Sequence, residues 1–307
     1  MSQAASNNLT LSSLGIPSFF INFVNGGISG TVAKTAAAPV ERVKLLLQTQ
    51  GSNERISRPY KGIADCFQRI YREEGLLAFW RGNMANIIRY FPTQALNFSI
   101  KDSIQGAFPA VDRKVSPYKF VFKNLLAGGI AGSITNMIVY PLDFARTRLG
   151  ADVAKNNGQR QFRGVWDCLS TTYKADGVKG LYRGAGASLC GIFIYRGLYF
   201  GVYDSGKAMW ISENDMLIKK FFFAQMCVIF SESIAYPTDT VKRVMMMQSA
   251  RKDVMYNGLF DCIKKLYQKD GLPGFWKGNV SNMMRSFGSS ICLVLYDELK
   301  KAKTKSF

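Results

Sequence analysis

The chain has no histidine among its 307 residues. That removes the commonest general base and the commonest metal ligand. Its six cysteines contain no Cys-x-x-Cys pair, so neither a zinc site nor a disulfide framework is expected, and the thiols read as buried and inert. No metal and no cofactor is implied. Acids are scarce: 21 Asp and Glu face 40 Lys and Arg, a formal net charge of +19. Anions are the favoured partners, whether nucleic acid, acidic lipid or a phosphorylated small molecule. Blocks of base are also missing. The bases are spread, many inside apolar stretches, which argues against nucleic acid. No Lys or Arg precedes Lys34. That excludes an Arg-rich transit peptide or a basic secretory leader over those residues and places any organellar address inside the chain. No nucleophile–base pair or Gly-rich phosphate loop stands out, so the chain does not read as an enzyme.

What is present is repetition. The phrase proline, any residue, acid, any two residues, base occurs at Pro39-Val40-Glu41-Arg42-Val43-Lys44, at Pro141-Leu142-Asp143-Phe144-Ala145-Arg146 and at Pro237-Thr238-Asp239-Thr240-Val241-Lys242. The prolines lie 102 and 96 residues apart. That period is too long for a solenoid and suits three copies of one small module. A second phrase keeps step. Glu74-Gly75 precedes Trp80-Arg81-Gly82, Asp176-Gly177 precedes Tyr182-Arg183-Gly184, and Asp270-Gly271 precedes Trp276-Lys277-Gly278. Between the two phrases lie Asp65-Cys66, Asp167-Cys168 and Asp261-Cys262.

Each copy reads as long helix, short helix, long helix. The expected long helices cover roughly 19–48 and 84–107, 119–148 and 186–209, 217–247 and 282–304, each able to cross a bilayer, which needs about 20 residues of helix. The expected architecture is an all-α membrane protein of six transmembrane helices in three pseudo-threefold repeats. The divisions are a tail (1–18) and repeats at 19–110, 111–212 and 213–307. Lys34, Arg89, Arg196, Glu232 and Arg285 interrupt apolar runs, so they are expected to face a bundle interior or a watery cavity. Gly26 with Gly30, and Gly128 with Gly132, have the spacing of close helix contacts. The short amphipathic helices start after Gly62, Gly164 and Gly258, end at Gly75, Gly177 and Gly271, and fit the membrane surface. Their starts, with Trp80-Arg81-Gly82, Tyr182-Arg183-Gly184 and Trp276-Lys277-Gly278, form a candidate site for an anionic lipid headgroup. The alternative is helix caps plus interfacial aromatics.

A proline inside a helix deletes one hydrogen bond and kinks it. Acid and base at i and i+3 then share a face one turn beyond. Around an axis, Glu41, Lys44, Asp143, Arg146, Asp239 and Lys242 can form a ring of interhelical ion pairs that closes one end of a cavity. A second, weaker ring is expected from Asp102, Gln105, Asp204, Lys207, Asp297 and Lys300, with Gln105 where the other copies carry a base. Tyr195, Tyr199 and Tyr203 share one helix face, offering either stacking for a planar ligand or ordinary packing.

The triple phrase resembles the mitochondrial carrier family across essentially residues 19–305. The strings Lys34-Thr35, Ala38 to Gln48, Arg89 to Phe98, Tyr140 to Arg148, Tyr195-Arg196 and Met245-Met246-Met247-Gln248 are similar to its ADP/ATP-carrying branch. The resemblance implies a multi-pass protein of the mitochondrial inner membrane, monomeric, bound to cardiolipin, that exchanges cytosolic ADP for matrix ATP by alternating access. It implies that Lys34, Arg89 and Arg285 hold phosphates, that Gly191, Ile192 and Tyr195 contact adenine, that Asn97 joins the substrate set, and that Lys101 and Lys242 assist passage near the mouths. The first ring becomes the matrix gate and the second the cytoplasmic gate. Where that branch carries three arginines before three methionines, this chain reads Lys242-Arg243-Val244-Met245-Met246-Met247. Glu232 stands where a small residue is usual, and three roles are open to it: pairing with a cavity base, tuning a pH response, or repelling phosphate. A carrier for another nucleotide or phosphorylated anion is the competing reading.

Overall fold

The computed structural model describes residues 18–107, 117–154, 159–210, 215–249 and 255–287. Five long helices are α1 (Ser18–Thr49), α3 (Asn83–Ala107), α4 (Pro117–Gly150), α6 (Ala185–Trp210) and α7 (Leu217–Met247). A sixth, α9, is described over residues 279–287. Between the long pairs lie α2 (Ile63–Glu74), α5 (Val165–Leu181) and α8 (Leu259–Asp270). Gly75 and Gly271 cap α2 and α8. In the middle repeat Gly177 breaks α5 with φ 64°, and the chain continues helically beyond it.

Buried charge and exposed apolar stripes occur together. Ring and cavity groups such as Glu41, Asp143, Lys242 and Arg243 are buried, while apolar stripes face outward. Ile130, Ile134 and Ile138 run along α4, and Phe222, Met226, Phe230 and Ile234 along α7, every one exposed and spaced four residues apart. Among the described residues, only Ala185–Tyr203 combines helical length with a mean hydropathy of 1.3 and few enough charges to read as a membrane span by composition. The other long helices carry inward charges, which dilute their mean hydropathy without touching the outer face.

The two repeated phrases are mechanically one device. Each proline lies inside its long helix, and its missing N–H leaves the carbonyl four residues earlier without a donor. The aromatic of the second phrase supplies it. Trp80 Nε1 donates to the Thr35 carbonyl (2.9 Å), Tyr182 Oη to Met137 (3.1 Å) and Trp276 Nε1 to Ser233 (2.9 Å). Two residues on, Gly82, Gly184 and Gly278 turn the chain at φ 84–88°. There each repeat meets the next. A Cβ at Gly82 would lie 3.0 Å from the Gly150 nitrogen, at Gly184 2.7 Å from the Lys242 carbonyl, and at Gly278 3.1 Å from the Lys44 carbonyl. First repeat touches second, second touches third, third touches first, so the three copies close on themselves. Gly184→Ala combines positive-φ strain with this overlap. It is expected to cost about 2–4 kcal/mol, seen as a melting temperature several degrees lower in detergent.

Beneath the closure, buried polar contacts bind neighbouring repeats. Arg42 donates to Glu74 (2.9 Å) and to the carbonyls of Ala78 and Asp152. The buried Asp152 carboxylate takes Arg81 (3.3 Å), Arg55 (3.5 Å) and the backbone N–H of Gln161 (3.1 Å). Arg183 reaches the Gln248 carbonyl (3.2 Å) and Lys269 the Gly51 carbonyl (2.5 Å).

Two expectations need correction. At Gly128 and Gly132 the nearest atoms are not backbone; the glycines make room for the Arg196 guanidinium, whose nitrogens stand 2.6 and 3.0 Å from where their Cβ atoms would be. Gly30 likewise admits Tyr90. Nor is every cysteine buried. Cys66, Cys168, Cys227 and Cys262 are, but Cys190 is exposed on the outer face of α6, and Cys292 lies outside the described residues. Burial pushes the Cys66, Cys168 and Cys262 thiols up to about 12. The thiolate is the nucleophile, so all three stay inert at neutral pH. With N-ethylmaleimide at pH 7 in detergent, peptide mass mapping is expected to show Cys190 modified and these three untouched; labelling of Cys66 at the Cys190 rate would refute it.

Candidate functional site

The three phrases converge at one end of the bundle, just past the prolines. Lys44 on α1 pairs with Asp239 on α7 (2.9 Å), Lys242 on α7 with Asp143 on α4 (2.5 Å), and Arg146 on α4 with Glu41 on α1 (2.5 Å). Every acid takes its base from the next helix, so three pairs make one closed ring. Supporting contacts surround it. Gln48 donates to Asp239 (3.3 Å) and Thr240 (2.9 Å), Arg243 to Asp239 (3.1 Å) and Thr147 (2.9 Å), and Asn86 to Glu41 (3.3 Å). Lys44 and Lys242 also sit over the rings of Tyr236 and Tyr140, at 5.0 and 5.4 Å.

The ring forms the floor of a cavity of about 400 Å³, toward the small end of small-molecule sites. Its walls carry Lys34, Arg89, Gly191, Ile192, Tyr195 and Arg285, together with Lys242 from the ring. A second cavity of about 560 Å³ shares Arg89, Ile192 and Tyr195 and continues along Arg196 and Tyr199. Seven of the nine expected substrate residues thus meet in one space. Asn97 and Lys101 sit on α3, but their side chains lie outside the described residues. So do the side chains of Asp102, Gln105, Asp204 and Lys207, and all of Asp297 and Lys300, so the expected second ring falls outside them too.

Tyr195, Tyr199 and Tyr203 stack along α6 with centroids 6.0 and 5.6 Å apart, and the first two line the cavities. Gly191 faces α7 closely: a Cβ there would meet Thr238 Oγ1 at 2.6 Å. Of the three roles open to Glu232, the geometry shows the pairing. Its carboxylate meets Arg285 Nη2 at 3.1 Å and accepts from Asn282 Nδ2 at 2.9 Å. Asn282 in turn accepts from Lys44 of the ring at 2.9 Å, which joins cavity wall to floor.

The Lys242–Met247 run divides by depth. Lys242 is in the ring and Arg243 braces Asp239. Val244 is fully buried in an apolar cluster with Tyr256, Cys262, Leu266 and Phe275, where α7 meets α8. Met246 packs with Tyr140 and Phe144, Met245 against the α8 cluster, and Met247 is buried.

Around the short helices, the backbone at Gly62, Gly164 and Gly258 is extended and open, with nothing within 4 Å of where a Cβ would stand. The bases of the second phrase have protein partners: Arg81 has Asp152 and the Phe162 carbonyl, Arg183 has Asp176 and the Gln248 carbonyl, and Lys277 has Asp270. Sequence reasoning missed Asp152. The one available signal was its position as the sole acid between Asp143 and Asp167.

Three successive segments, residues 16–111, 118–214 and 213–307, match the family described as mitochondrial carrier protein. The chain belongs to the mitochondrial carrier family. ADP/ATP translocase 3 of Homo sapiens is 50% identical over 290 residues, which cover 92% of this chain and 97% of that protein. ADP/ATP translocase 2 of Rattus norvegicus is 49% identical over the same coverage, and ADP/ATP translocase 4 of Bos taurus 47% over 287 residues, 92% and 89% of the two chains. The three segments of the carrier family correspond to the three copies whose acids and bases interlock in the ring.

Proposed function

We propose that this chain is an ADP/ATP antiporter of the mitochondrial inner membrane, exchanging cytosolic ADP for matrix ATP by alternating access. The observation that carries the reading is the ring: three interhelical ion pairs, one per repeat junction, flooring a cation-lined cavity. The relatives' names supply the nucleotides. The outward apolar stripes supply the bilayer, a face that water would not tolerate. Six helices cross the membrane as three repeats, with α2, α5 and α8 on the matrix surface beside the ring.

In this reading the ring is the matrix gate, shut. Lys34, Arg89 and Arg285 hold the phosphates, while Gly191, Ile192 and Tyr195 accept the adenine. Opening breaks three pairs, one buried and two half-buried, and a buried charge left alone costs roughly 3–5 kcal/mol. Bound nucleotide offsets part of that cost by offering phosphate oxygens to the cations as they separate. Asp102, Gln105, Asp204, Lys207, Asp297 and Lys300 form the opposing cytoplasmic gate, weaker by one pair. The open amide ends of α2, α5 and α8 hold cardiolipin phosphates. Arg81, Arg183 and Lys277 serve the joints between and within repeats and contribute field rather than direct contact. Because cavity and ring are complete within one chain, the monomer is the transporting unit.

Glu232 on Arg285 favours one variant of the reading, a carrier whose preferred anion has less charge than ATP. The purified protein in liposomes loaded with ATP, ADP, other nucleotides or inorganic phosphate separates the two. Uptake of labelled ADP driven only by internal ADP or ATP is the expected result. Uptake driven equally by unrelated phosphorylated anions would overturn the adenine assignment.

A further inference from the structure

The three repeats carry different chemistry at equivalent points. Five residues before each proline stand Lys34, Asn136 and Glu232, and all three line the cavity. Seven residues after each turn glycine stand Arg89, Gly191 and Arg285, which also line it. At these points the first repeat therefore presents two cations, the second none, and the third a cation with a carboxylate on it. Glu232 is not part of the ring, whose acids all reach the next repeat. Its partners, Arg285 at 3.1 Å and Asn282 at 2.9 Å, belong to its own. Both carboxylate oxygens are used, one on each partner, and Asn282 Oδ1 also accepts from Arg285 at 3.2 Å. Arg285 thus enters the cavity already engaged. Among the described residues Lys34 makes no ion pair, and Arg89 lies no nearer than 3.9 Å to a carboxylate.

We propose that Glu232 is an internal competitor for substrate phosphate, holding Arg285 and thereby biasing the site toward the nucleotide with fewer phosphates. The inference rests on the nucleotide-exchange reading above and concerns the charge the site prefers. A ligand that takes Arg285 must displace a carboxylate or settle beside one. The penalty then grows with each negative charge the ligand brings. ATP carries one more than ADP when no divalent cation is bound, so it suffers more. A fixed carboxylate within a cavity of this size is worth on the order of tenfold in affinity per ligand charge. The paired cations of the first repeat, Lys34 and Arg89, become the principal phosphate anchor.

The test uses the full chain in liposomes, without membrane potential and with divalent cations chelated, reading half-saturation by external ADP and by external ATP. The wild type is expected to favour ADP. Glu232→Gln, which keeps the amide contacts and removes the charge, is expected to shift the ATP-to-ADP ratio about tenfold toward ATP. Glu232→Ser should shift it the same way, giving a second reading should the glutamine variant fold poorly. Glu232→Asp retains the charge and should keep the wild-type ratio. An unchanged ratio in Gln and Ser variants that still exchange would overturn the proposal while leaving nucleotide transport standing. Equal shifts in the Asp and Gln variants would also overturn it, because shape and not charge would be responsible. A wild type that carries neither nucleotide would remove the transport reading itself.

Discussion

Glu41→Arg is expected to lower ADP/ATP exchange by at least about a hundredfold, and adding Arg146→Glu to restore tenfold or more of the loss. The single change sets two cations against each other where the structure has a 2.5 Å pair, and it leaves the half-buried Arg146 with only Asp143, 3.9 Å away on its own helix. Stranding one partner of a buried pair costs about 3–5 kcal/mol, roughly two to nearly four orders of magnitude in an equilibrium. Swapping both charges rebuilds the pair in reverse, though imperfectly, since Asn86 donates to Glu41 and would face a guanidinium instead. Recovery in the double variant separates a gate contact from a folding defect: a general loss of structure has no reason to be repaired by a second charge reversal on another helix. Two singles that are both silent would show that this junction of the ring takes no part in transport.

Arg89→Ala is expected to cost about a hundredfold in exchange at low ADP, mostly through a higher half-saturation concentration, with the melting temperature in detergent little changed. Arg89 lines both cavities and makes no tight ion pair: its nearest carboxylate, on Asp143, is 3.9 Å away, and its buried Nε has no hydrogen-bond partner. A buried guanidinium with unspent donors is arranged for an anion that arrives later. Losing a charge-assisted, two-pronged contact to phosphate is worth about 2–4 kcal/mol, which covers the stated factor. Arg89→Lys, keeping a point charge without the fork, should fall between wild type and alanine. Robust exchange by the alanine variant would place the phosphates elsewhere.

Much of this architecture was legible in the residues. Helix spacing placed the ends of α1, α3, α4, α6 and α7 within two residues, because prolines, glycines and apolar periodicity are local signals. The ring's membership was legible for the same reason. Its pairing was not: Glu41 and Lys44 share a face of one helix, and only the cyclic arrangement shows that each looks to a different neighbour. By residue type alone the aromatic phrase fits a lipid clasp or a set of interfacial caps. In the structure Trp80, Tyr182 and Trp276 mend the carbonyls that the prolines leave open. That role was within reach, since the orphaned carbonyl is always four residues before the proline and the two phrases keep step. The glycine spacing at Gly128 and Gly132 cannot distinguish room for a backbone from room for the Arg196 side chain, which is what stands there. Glu232 kept three meanings until α9 supplied Arg285 and Asn282, contacts some 50 residues away that no local pattern encodes.

The ring also explains why the chain tolerates Lys242-Arg243-Val244. Lysine needs only one point contact to Asp143, and Val244 packs in the apolar seam between α7 and α8.

The central claim, that the three pairs shut the cavity and nucleotide opens it, is tested most directly by access from the ring side. In a Cys190→Ala background, Ile192→Cys places a thiol in the cavity above the ring, and a membrane-impermeant thiosulfonate reagent is supplied to the face that carries the short helices. Slow labelling without nucleotide, accelerated tenfold or more by ADP and already fast in Glu41→Arg, is the predicted result. A thiol that reacts rapidly from that face in the absence of nucleotide, at a rate neither ADP nor Glu41→Arg alters, would contradict it.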